Sequence, residues 1–153
     1  MCYKSTLLII VFLLTATACS ENTDPYTAYA EGDYETAKSE LLPLARQGEL
    51  KAMTYLGAIY QMDQEYGKAA KLYQAAARQN YAPAQYNLGV MLHEGLGVEQ
   101  NLFEAYGWFY LAIKQGHSKA EDQMLNMVSE LTPNQTMKAK EWAKNQIKRF
   151  QKT

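Results

Sequence analysis

Between Ala84 and Gly116 the apolar residues recur with the spacing of a helix face. Ala84, Leu88 and Leu92 stand four residues apart, which places them on one stripe. Ala105, Phe109 and Ala112 repeat the arrangement, widened by Trp108 and Ile113. Between the two runs Gly95-Leu96-Gly97-Val98 breaks the period with two glycines, so the chain turns there. The stretch predicts a helix hairpin whose apolar face cannot be buried without neighbours.

The neighbours are copies. A shift of 32 residues lays Ala52 on Ala84, Leu56-Gly57 on Leu88-Gly89 and Tyr60 on Leu92. A shift of 36 lays Ala69 on Ala105, Tyr73 on Phe109, Ala76 on Ala112 and Asn80 on Gly116. The difference falls in the loop, where insertions cost least. An eroded copy runs from Asp24 to Gly48, with Ala37, Leu41 and Leu44-Ala45 on its second-helix face. Gly48, Asn80 and Gly116 then mark helix ends that need a left-handed residue. A fourth unit starts at His117, with Ala120 and Met124-Leu125 echoing Ala84 and Leu88-Gly89. Thr132-Pro133 opens the last helix as N-cap and first turn. There Ala139, Trp142-Ala143, Ile147 and Phe150 line up against the preceding unit. Periods of this length predict a solenoid with atypical ends.

Gly57 and Gly89 sit inside helices, where glycine costs roughly 1 kcal/mol against alanine. Their recurrence predicts a close helix crossing, with Ala76-Ala77 and Ala112 approaching from the other side. Ala-x-x-x-Leu-Gly, Gly-x-Gly-Val and Ala-x-x-Trp-Phe-x-x-Ala-x-x-x-Gly together resemble the Sel-one-like repeat (SLR), a tetratricopeptide-type hairpin. The match is near complete in Ala84–Gly116, loop-shortened in Ala52–Asn80 and partial on either side. It departs at Asn101, where the family has Asp, and in the earlier loop, which lacks Gly-x-Gly. The resemblance implies an all-α fold: a right-handed α-solenoid of about four antiparallel helix hairpins spanning 25–153, capped by a helix at 133–150. It also implies that the first helix of each hairpin lines a concave face. Carried over residue by residue, that face holds Lys51, Thr54, Ala58 and Gln61. In the next unit it holds Tyr86, Val90, His93 and Glu94, and in the last Lys119, Asp122 and Asn126.

Residues 1–18 have the shape of a signal peptide, with Lys4 before the apolar run Leu7 to Leu14. A bilayer core needs about 20 residues, so the run is too short to span one. Ala16-Thr17-Ala18-Cys19 resembles a bacterial lipobox, with Ala where the motif usually has Leu. That reading lipidates Cys19 and leaves 19–24 as a short tether; the alternative is an ordinary secretory signal. Cys2 and Cys19 are the only cysteines, so no disulfide framework supports the body. Ser20 after the cysteine resembles outer-membrane sorting, and the expected location is the periplasmic side of that membrane.

The net charge of −1 hides an asymmetry. Cys19 to Leu131 carries 15 acidic and 8 basic residues, net −7, and Thr132 to Thr153 one acidic and 6 basic, net +5. Lys140, Lys144 and Lys148 form a stripe on the last helix that suits anionic headgroups, or simply a solvated cap and its dipole. An acidic body argues against nucleic acid as partner.

Two histidines, His93 and His117, and no body cysteine cannot assemble a zinc set. Gly95-Leu96-Gly97 lacks both the third glycine and the preceding strand of a dinucleotide loop. No cofactor, metal or catalytic residue is therefore predicted. Twelve tyrosines are suited both to packing between hairpins and to binding. The sequence points to a non-catalytic protein-binding module, held at the cell envelope by the lipid and gripping another protein on its concave face. Small Sel-one-like lipoproteins that neutralise secreted effectors offer a sharper version by resemblance. A hydrolase of cell-wall or β-lactam substrates is the other class, but the relatives proposed for it carry paired cysteines that this chain lacks.

Overall fold

The computed structural model describes residues 24–151; the signal peptide expected at 1–18 and the lipidation expected at Cys19 fall outside the described residues. Eight α-helices follow one another, and no strand occurs among the described residues. They are α1 (Pro25–Glu31), α2 (Tyr34–Arg46), α3 (Leu50–Met62), α4 (Tyr66–Ala77), α5 (Ala82–Glu94), α6 (Leu102–Lys114), α7 (Ser118–Met127) and α8 (Pro133–Phe150). One 3-10 turn, Val128–Glu130, extends α7. The fold is an α-solenoid of paired helices, each first helix packing on its own second helix and on the one before.

Local chemistry sets the helix ends. Asp24, Asp33 and Asn101 accept from the backbone N–H three residues on, at 3.0, 3.1 and 3.1 Å, and so satisfy donors that a helix start leaves free. Thr132 and Gln135 cap each other across the first turn of α8. The second helices α2, α4 and α6 end alike. Gly48, Asn80 and Gly116 adopt φ of 91°, 63° and 83°. The following N–H groups, of Glu49, Tyr81 and His117, reach back to the carbonyls of Leu44, Ala76 and Ala112. That pairing, with the cap residue's own N–H on the next carbonyl along, is a Schellman motif. It turns the chain from one hairpin into the next.

The core is built from small residues at crossings and large ones between them. Ala37, Ala52, Ala69, Ala84, Ala105 and Ala120 are wholly buried, as are Tyr73 and Phe109. The close approach at Gly57 and Gly89 is real, but rings fill it rather than alanines. A Cβ at Gly57 would stand 2.7 Å from Tyr73 Cε1, and one at Gly89 2.7 Å from Phe109 Cε1. The second helix thus drives an aromatic ring onto the backbone of the first.

The fourth pair closes differently. α8 packs along α6 and makes almost no contact with α7. Two substitutions account for this. Leu125 occupies the position of Gly57 and Gly89, so no ring can descend onto α7, and its side chain remains 63% exposed. On α6, Gly107 leaves room for Trp142, whose ring would lie 2.5 Å from a Cβ there. Trp142 also meets Trp108 edge-to-face at 5.4 Å, and Ala139 and Ala143 are buried beside it. α8 therefore seals α6 and leaves Leu125, Val128 and Met137 exposed at the end of the array.

Candidate binding surface

The row expected on the first helices divides into three parts. At its N-terminal end Tyr26, Tyr29 and Tyr55 pack edge-to-face, with ring centroids 5.0 Å and 4.8 Å apart. The Lys51 ammonium lies 3.6 Å from the Tyr26 ring centre, near enough for a cation–π contact. The Tyr26 hydroxyl donates to the Glu49 carboxylate. Burial, then that bond, pushes the phenol far above its ordinary value. Lys51 is thus positioned on a platform rather than loose in solvent.

In the middle, a cleft of about 520 Å³ opens between α1, α3, α4 and α5. Ala58 and Gln61 line it, together with Tyr29, Tyr66, Tyr73 and Asn87. The Tyr73 hydroxyl donates to Gln61 Oε1 at 3.2 Å. Among the described residues no charged side chain lines this cleft, whose walls offer aromatic faces and amide groups.

At the C-terminal end, Tyr86 stacks on His117 at 4.6 Å between ring centroids. Burial raises the Tyr86 phenol, and Glu94 and Asp122 add to it. Burial depresses His117, with the Lys119 charge acting in the same direction. Its Nδ1 is buried without a hydrogen-bond partner, so a second ring proton would find no acceptor. His93 Nε2 lies 2.9 Å from the Glu130 carboxylate. Glu94, Lys119, Asp122 and Asn126 are exposed, and Val90 is half-buried against the core.

Thr54 is a correction. It is 6% exposed and its hydroxyl donates to the Leu50 carbonyl at 2.8 Å, so it offers a partner almost nothing. Tyr29 and Tyr26 were missed, because the first hairpin was aligned only through its second helix. Their three-residue spacing on α1 was the available signal. Among the described residues no cluster of three or more His, Cys, Asp or Glu side chains could hold a metal ion.

The comparisons agree with this geometry. The Sel1 repeat family model matches residues 50–81 and 82–117, the two hairpins that flank the central cleft. The HRD3 component of an ERAD-associated E3 ubiquitin-protein ligase from Candida glabrata is 39% identical over 74 residues, which are 48% of this chain and 9% of that one. A Sel1 repeat protein from Oxalobacter formigenes superposes with a TM-score of 0.61 at 30% identity, covering 69% of this chain and 45% of that one. A protective antigen of uropathogenic Escherichia coli strains, which displays an SLR fold, superposes with a TM-score of 0.77. At 23% identity, covering 82% of this chain and 29% of that one, it shows shared fold alone. The chain spans less than half the length of each of these proteins. Sel1 repeats are in general protein–protein interaction modules. Residues 50–81 and 82–117 are thus two Sel1 repeats, and the same helical pairing continues on either side of them.

Proposed function

We propose that the chain is a non-catalytic protein-binding module that grips a partner along its first helices. The observation that carries this is the central cleft, with tyrosines and Gln61 in its walls and no charge. Charged groups stand towards the two ends of the first-helix row: Lys51 over the Tyr26 ring, and the exposed Glu94 and Asp122 near Tyr86. Rigid tyrosines lose little entropy on binding and supply both apolar area and a hydroxyl. A protruding loop or extended peptide of the partner fits such a surface better than a flat face does. The relative HRD3 is by name a component of an E3 ubiquitin-protein ligase, in keeping with an interaction role.

The envelope setting belongs to the same proposal. Cys19 carries the lipid, and the solenoid stands close to the periplasmic face of the outer membrane on a short polar tether. A Cys19→Ser form should leave the membrane fraction; retention there would sink the anchor. The same soluble form serves as bait against envelope and secreted extracts, with captured proteins identified by mass spectrometry. One dominant partner, lost on Tyr86→Ala with Lys51→Glu, is the expected result. A partner indifferent to both substitutions would move the site off the first helices.

A further inference from the structure

The second helices carry a recurrent groove that the first-helix row does not explain. Between α4 and α6, over α5, a groove of about 620 Å³ is lined by Gln74, Arg78, Leu88, Leu92, Glu104 and Trp108. Between α2 and α4, over α3, a groove of about 280 Å³ is lined by Leu42, Arg46, Leu56, Tyr60, Lys68 and Leu72. Shifts of 32 and 36 residues carry the six positions of one onto the other. They are the same feature in successive repeats.

They differ in what lies over them. The α4–α6 groove has an outer wall from this chain itself: Trp142, Gln146, Arg149 and Phe150 of α8. No helix stands in that place over the α2–α4 groove among the described residues. They differ also in charge. Glu104, on the rim below the basic end of α8, is replaced by Lys68. Gly107, which admits Trp142, is replaced by Lys71. Lys38 and Lys68 flank the Tyr60 ring, with ammonium groups 4.9 and 5.1 Å from its centre. Each is already paired, with Asp63 and Glu65 respectively. Arg46 and Lys71, both exposed, take part in none of the ion pairs among the described residues. In a body of net charge −7 this is a cationic rim around an apolar floor.

We infer that the α2–α4 groove is a second docking site, which receives an acidic amphipathic helix from a partner protein. The molecule demonstrates the mode on itself, since α8 lies over the equivalent groove with apolar anchors and a basic face. Inverting the rim from Glu104 to Lys68, and from Gly107 to Lys71, turns away a basic helix such as α8 of a second copy. It selects carboxylates, one of them where Trp142 stands in α8. The site is separate from the first-helix row, so either can fail without the other.

The test uses two synthetic peptides and the soluble full-length Cys19→Ser protein. One peptide copies Pro133–Phe150 with Trp142 and the five basic residues replaced by Glu, keeping Ala139, Ala143, Ile147 and Phe150. The other is the native Pro133–Phe150 sequence. Fluorescence anisotropy should show the acidic peptide bound, weakening as salt rises. Arg46→Glu with Lys71→Glu should raise its Kd about tenfold or more. Both side chains are exposed, so the thermal melt of the double variant should match the parent. Lys51→Glu should leave peptide binding unchanged. Absence of binding up to about millimolar peptide would overturn the inference. So would equal affinity in the double variant, or equal affinity for the basic peptide.

Discussion

Two helical glycines, Gly67 and Gly89, should respond to the same substitution with opposite signs. In α4, Gly67 has nothing within 4 Å of where its Cβ would stand. Alanine there gains helix propensity, worth up to about 1 kcal/mol, and meets no obstacle. In α5, a Cβ at Gly89 would lie 2.7, 2.8 and 3.1 Å from Cε1, Cδ1 and Cζ of Phe109. Ordinary carbon–carbon contact is about 3.5–4.0 Å, so the ring must retreat by nearly an ångström. Phe109 is wholly buried and has nowhere to go. Overpacking of this kind costs about 1–3 kcal/mol, which outweighs the same propensity gain. Gly89→Ala should therefore destabilise by about 1–2 kcal/mol net, and Gly67→Ala should be neutral to stabilising. For a chain of this size each kcal/mol moves Tm by roughly 3 °C, well within the reach of circular dichroism melts. A double-mutant cycle isolates the contact: Phe109→Leu opens space, so Gly89→Ala should cost about 1 kcal/mol less in that background. A Gly89→Ala protein that melts higher than the parent would refute the argument. Equal effects at Gly67 and Gly89 would do the same.

Other outcomes follow from the packing and the charges. Trp142→Ala should cost about 2–3 kcal/mol, near the low end for large-to-small changes because the ring is half-buried. Gly107→Ala should disturb the same contact, so the two losses should not add; additive losses would mean α8 is not held at Gly107. The folded state holds His117 neutral below its ordinary value of 6.5, so it binds protons less readily than the unfolded chain. The stability this contributes is present above about pH 6.5 and drains away as the pH falls through the folded value. Urea titrations at pH 7 and pH 5 should show the drop, and His117→Gln should flatten it. Lys51→Met removes the ammonium from Tyr26 while keeping the stem, at an expected loss of about 0.5–1 kcal/mol.

Much of the architecture was legible because the repeat writes each requirement more than once. Alanine recurs wherever two helices cross, glycine where a ring presses on a backbone, and glycine or asparagine where a second helix must end in the left-handed region. Each occurrence checks the others. The alignment of Ala139, Trp142 and Ala143 toward the preceding unit was legible in the same way, from period alone. Leu125 was harder. Lined up on Gly89 it looks like an echo of the pattern, whereas physically it fills the space that a ring must occupy. Thr54 escaped because a helix wheel gives direction and not depth: its hydroxyl turns back to the Leu50 carbonyl. The Tyr26–Tyr29–Tyr55 platform depends on α1, whose seven residues offer only the single three-residue step from Tyr26 to Tyr29 as a signal.

The placement of α8 has a consequence for the order in which the array can close. Each earlier helix can settle on the segment just before it in sequence. α6 is different, because its Gly107 face must wait for residues that lie beyond α7. Until α8 docks there, Trp108 and its neighbours remain bare, so this face is the last of the described helix contacts to be covered.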